Sequence, residues 1–122
     1  MRGALARINT RGLHIPFTRM GKVTSDDLFE QREQALFDFY EHHAGRYRRA
    51  LDIGANIGVH TLLMARAGSE VRVFEPDPGH HARLVENLAQ HGAPVQAIEA
   101  AVSTVEGVAE FVRVAGNGTA NH

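Results

Sequence analysis

Two acids and two glycines carry most of the chemistry that can be read from this sequence. Asp52 interrupts the apolar run Leu51-Asp52-Ile53, and Gly54 and Gly58 follow in Gly54-Ala55-Asn56-Ile57-Gly58. A carboxylate drawn into such a run is costly unless paired, and no basic residue in the loop can pair with it. An ammonium or similar cation on a ligand would meet that need. Gly54 and Gly58 would leave room for the ligand against the backbone, and Asn56 is placed to cap a helix starting beside it. The competing reading of Asp52 is a carboxylate that satisfies free amides in the turn after it.

Glu75 follows 23 residues after Asp52, in Val73-Phe74-Glu75-Pro76-Asp77-Pro78. At the tip of a neighbouring strand an acid can accept both hydrogen bonds of a ribose diol. A dinucleotide fingerprint fails here. Counting from Gly54, its second and third glycines fall on Asn56 and Val59, which disfavours a pyrophosphate pressed on the helix N-terminus and with it a nicotinamide dinucleotide. Two acids on adjacent strand tips across a glycine turn suit a cationic nucleoside, with Ala100-Ala101-Val102-Ser103 small and apolar enough to lie along a purine face.

These residues must be positioned by strands that alternate with helices. The pattern predicts strands over Ala50–Ile53, Val71–Glu75 and Val95–Ala100. It predicts helices over Val59–Ala67 and Pro78–His91, closed by Gly68 and Gly92. Asp77 and Pro78 give the second helix an N-cap and a proline at its first position. Such alternation implies right-handed crossovers and a parallel sheet covered on both faces. A further strand is expected over Val108–Val114, antiparallel to its predecessor because the loop at Glu106-Gly107 is too short for a crossover, followed by a turn at Asn117-Gly118.

Residues 1–49 form an N-terminal segment ahead of a cofactor-binding unit over 50–122. A hairpin is expected there, with strands at Leu5–Ile8 and Leu13–Phe17 around the turn Asn9-Thr10-Arg11-Gly12, and Pro16 at a sheet edge. Thr24 and Asp27 resemble a capping box opening a helix over about 25–43. Its apolar spacing suits packing on a sheet.

The composition sets outer bounds. A chain of 122 residues with 43% hydrophobic and 22% charged residues fits one domain. The lack of cysteine excludes disulfides, a zinc ribbon and a thiol nucleophile. Neither a secretory h-region nor a membrane-length apolar run is present, so the reading is a cytoplasmic protein without a membrane partner. Residues 1–50 hold nine Arg or Lys against six acids, and residues 51–122 hold four against eight, too mild an asymmetry for nucleic acid. Arg46, Arg48 and Arg49 read as a solvated connector. Asn117-Gly118-Thr119 matches a glycosylation sequon but reads better as a turn.

His42-His43 and His80-His81 lack the i, i+4 spacing of a helical metal site and read as solvated surface, so no metal is expected. His60, in the first turn after Gly58, is the candidate base, facing a ligand held at the strand ends. Alignment of the reacting groups could also suffice without a base.

The stretches LDIGANIGVHTLL, VRVFEPDPGHHARLVENL and AIEAAVSTVEGVAEF resemble the FkbM-type methyltransferases, a branch of the class I S-adenosylmethionine-dependent enzymes. The resemblance runs from about residue 50 to about 119. It implies a Rossmann-like α/β sheet with flanking helices that binds S-adenosylmethionine, and methyl transfer to a hydroxyl of a small-molecule or saccharide acceptor. By position it implies Asp52, Gly54, Ala55, Asn56 and Gly58 on the methionine side. Glu75 would then hold the ribose, and Pro76, Asp77, Ala101 and Val102 would border the adenosine. In the family the chain continues into another central strand and the rest of the sheet, so about half of that sheet is expected before His122. The alternative expectation is a non-catalytic chain, truncated or split, whose exposed strand edge is completed by a partner chain or another copy.

Overall fold

A computed structural model of the chain describes residues 9–108. Strands β1 (Arg19–Met20) and β2 (Val23–Thr24) form a small antiparallel ladder, followed by a 3-10 turn over Ser25–Phe29 and helix α1 (Gln31–His42). Then come β3 (Arg49–Ile53), α2 (Val59–Arg66), β4 (Glu70–Phe74), α3 (Pro78–Gln90) and β5 (Ala97–Ile98). The fold is α/β: β3, β4 and β5 form a parallel sheet in that order, flanked by helices.

Strands adjacent in sequence are also adjacent in space, and the sheet grows in one direction only. Right-handed crossovers therefore put α2 and α3 on the same face. Register pairs Ala50 with Val71 and Asp52 with Val73; Val71 and Val73, with Ala50 packed against them, join Leu62, Leu63, Leu84 and Leu88 in the core. The alternate positions Arg49, Leu51, Ile53 and Arg72 face outward and are exposed. Cover on both faces was expected; among the described residues only one face carries helices. A second layer would require the strand order to reverse. Full burial of Ile57, Val73 and Leu84 contributes roughly 1.5–3 kcal/mol for each side chain.

α1 packs on α2 with Phe37 fully buried between them, its ring 6.0 Å from that of Phe29. The helix expected over 25–43 is broken at Glu30, whose ψ of 163° is extended. The break resets the helical phase so that both Phe29 and Phe37 reach the core. Gln34 Nε2 donates to the Phe29 carbonyl there, at 3.0 Å. Asp27 still accepts from the Thr24 amide at 2.7 Å, so the capping pattern was real but opens a 3-10 turn.

The first strand of the expected hairpin lies outside the described residues; among the described residues Leu13–Phe17 forms no strand, and the short antiparallel ladder is that of β1 and β2. Instead, Leu13 enters the core and Arg11 pins the segment to α1 through Asp38 at 2.7 Å and Glu41 at 2.9 Å. The third parallel strand is shorter than expected, because turn bonds from Val95 to Ala93 and from Ala100 to Ile98 bound it on either side. The strand expected over Val108–Val114 and the Asn117-Gly118 turn lie outside the described residues from 109 onward. Among the described residues no helix is long and apolar enough to cross a membrane.

Candidate functional site

The carboxyl end of β3 opens into a cleft of about 460 Å3 between α1 and the loop to α2. Asp52, Gly54, Ala55, Asn56 and His60 border it, with Glu33 and Tyr40 on the α1 side. Among the described residues its lining includes neither lysine nor arginine. The charges that face it are carboxylates, which favours a cationic guest.

The loop alternates conformation: Gly54, Asn56 and Gly58 have φ of 73°, 57° and 99°. The two glycines have different reasons for being glycine. A Cβ on Gly54 would meet nothing within 4 Å, so this position offers clearance on the cleft side. A Cβ on Gly58 would lie 2.6 Å from Leu84 Cδ1, so its clearance serves the packing of α3 and not a ligand.

The amides of this loop are largely committed. Gly54 and Ala55 donate to the Phe74 carbonyl at 2.8 and 3.2 Å, Gly58 donates to Ala55 at 3.0 Å, and Asn56 donates to Glu75 Oε1 at 2.7 Å. A phosphate cradle needs such amides pointing at the ligand. That disfavours a pyrophosphate independently of the glycine count.

Glu75 is only 5% exposed and does not border the cleft. Its second oxygen accepts from the Asp77 amide at 2.8 Å, so one carboxylate ties the two strand-end turns together. The turn-satisfying role weighed for Asp52 thus belongs to Glu75. Asp52 accepts from the Thr61 hydroxyl, in the first turn of α2. Asp77 is 1% exposed and caps α3, accepting from Gly79 N at 2.8 Å and His80 N at 3.3 Å.

Asn56 does not cap α2: that position is Gly58, without a side-chain bond. Its side-chain Oδ1 is buried and has no hydrogen-bond partner among the described residues. An orphaned acceptor is costly, and a donor on a bound ligand would relieve it. Pro76 is half-buried, and Ala101 and Val102 are exposed on the segment after β5, outside this cleft. His80, read as solvated, is buried near Asp77 at 3.8 Å, because α3 turns its first inward residue toward its own cap. Among the described residues no group of three His, Cys, Asp or Glu could hold a metal ion.

His60 is held by two α1 side chains. Tyr40 Oη lies 2.8 Å from Nδ1 and Glu33 Oε1 lies 3.2 Å from Nε2. Sequence reasoning did not single out Glu33 or Tyr40. Their spacing with Phe37, four and then three residues, marks one helix stripe but not its partner.

No family model and no curated protein matches this chain. Among solved structures it is similar to the crystal structure of the SAM-dependent methyltransferase from Agrobacterium tumefaciens, at 20% identity and a TM-score of 0.51. The match covers 57% of this chain and 24% of that protein. At that identity the likeness shows the fold: this α/β unit matches part of a methyltransferase fold.

Proposed function

We propose that this chain forms the cofactor-binding part of an S-adenosylmethionine-dependent methyltransferase of the FkbM type, acting on a hydroxyl of a small molecule or sugar in the cytoplasm. The observation that carries the reading is the orphaned Asn56 Oδ1 in the cleft that Asp52 also borders, whose lining among the described residues holds no lysine or arginine. An amino acid ammonium supplies N–H donors and positive charge, matching both groups. The open space at Gly54 suits close approach of the methionine portion. S-adenosylmethionine would supply an electrophilic methyl on a sulfonium, and an acceptor oxygen aligned with it would take that methyl. In this reading Glu75 shapes both turns, and a ribose diol would use the lone pairs its two amide contacts leave. Pro76, Asp77, Ala101 and Val102 would border the adenosine.

Calorimetric titration with S-adenosylmethionine, S-adenosylhomocysteine and NAD tests this. Binding of the first two but not NAD, weakened by Asp52→Ala, is the expected result. Absence of both from the binding curves sinks the reading for this chain.

A second reading rests on a separate observation. Among the described residues β3 is an edge strand, and its Leu51 and Ile53 are 64% and 58% exposed. Such an edge fits a non-catalytic chain whose sheet is completed by a partner or a second copy. Sedimentation distinguishes it: a concentration-independent monomer argues against it.

A further inference from the structure

The outer wall of the cleft holds a directed chain of hydrogen bonds. A carboxylate only accepts, so the Glu33 contact places the ring proton of neutral His60 on Nε2. Nδ1 is then the acceptor for the Tyr40 hydroxyl. The imidazole is oriented by Phe37, with ring centroids 5.0 Å apart, and by Tyr40, whose ring stands edge-on at 5.7 Å. Hydroxyl, imidazole and carboxylate in this order form the arrangement by which a base draws a proton from a hydroxyl.

Resting on the methyltransferase reading, we infer that Tyr40 is the catalytic residue that receives the acceptor's proton, with His60 as the base behind it and Glu33 as a positioning residue. Tyr40 borders the same cleft as Asp52, Gly54 and Asn56. As the acceptor oxygen bonds to the methyl carbon, the carbon–sulfur bond breaks and its electron pair stays on sulfur. The acceptor's proton passes to Tyr40 Oη while the Tyr40 proton passes to His60 Nδ1. The imidazolium so formed lies beside the Glu33 carboxylate. Tyr40 is neutral before and after. This matters because burial pushes its phenol above the usual tyrosine range, and the Asp52 and Glu33 charges push the same way. A relay that never forms tyrosinate avoids that penalty.

The test needs no acceptor, because the chain holds two tyrosines and no tryptophan. Benzenesulfonyl fluoride reacts with a phenol as an O–S bond forms, fluoride leaves and the phenol proton goes to a base. At neutral pH, labelling followed by peptide mapping is expected to modify Tyr40 about tenfold or more faster than Tyr47. Exposure alone would favour Tyr47, which is 48% exposed. His60→Ala and the nearly isosteric Glu33→Gln should each slow Tyr40 by about tenfold while leaving Tyr47 and the circular dichroism spectrum unchanged. Equal labelling of the two tyrosines, or a Tyr40 rate indifferent to His60, overturns the relay.

Calorimetry with S-adenosylmethionine on the same samples separates the two claims. Binding with an inert Tyr40 removes the relay and leaves the methyltransferase reading. An activated Tyr40 without binding removes the assignment of the relay to methyl transfer.

Discussion

At the scale of single residues, the two loop glycines make opposite predictions. Gly58→Ala forces a methyl against Leu84 and should destabilise the fold by about 1–3 kcal/mol, read from urea denaturation. Gly54→Ala meets no neighbour and strains only a left-handed backbone, so its main effect should be weaker S-adenosylmethionine binding by calorimetry. Their equal spacing in the sequence concealed this difference, because only the path of α3 brings Leu84 over one of them.

Tyr40 also makes a prediction about pH. Its folded pKa lies above the ordinary 10.0, chiefly through burial. The stability this lends is intact below the unfolded value and is lost as pH rises through the folded one. Replacing Tyr40 by Phe should therefore flatten the alkaline fall in urea midpoint between about pH 9 and pH 11, with little change near neutrality.

At the scale of elements, the strand-end turns depend on one carboxylate. Glu75→Gln places an amide where the Asn56 or Asp77 N–H needs an acceptor, and should cost about 1–3 kcal/mol in denaturant unfolding. A Glu75 that served only to bind ribose would leave unfolding unchanged, so this variant separates structural from ligand roles. The helices and strands between residues 49 and 98 were legible to within a few residues because most carry local stop signals. Asp77-Pro78 opens α3 and Gly68 follows α2, and these act within one turn of chain. The helix after Thr24 was less legible. Its break at Glu30 answers to where Phe29 and Phe37 must go, a demand made by the core and not by neighbours in sequence.

At the scale of the whole molecule, the bare sheet face and the β3 edge dominate. Leu51 and Ile53 are 64% and 58% exposed there and also line the cleft together with Leu36 and Tyr40 of α1. Such an edge promotes association. The double variant Leu51→Gln, Ile53→Gln should reduce concentration-dependent association in sedimentation, while shifting unfolding free energy by no more than about 0.5 kcal/mol. An unaltered association constant would place the contact elsewhere.

By itself the sequence determined the α/β alternation, the acidic strand ends and the glycine turn, because those are set by periodicity and by local backbone chemistry. Only the tertiary structure decided what each acid does. Glu75 turns inward to hold two loops, Asp52 takes the Thr61 hydroxyl at the mouth of the cleft, and α1 brings Glu33 and Tyr40 to His60. Partners separated by 20 and 27 residues meet through the packing of α1 on α2, and no spacing rule within either segment encodes that meeting.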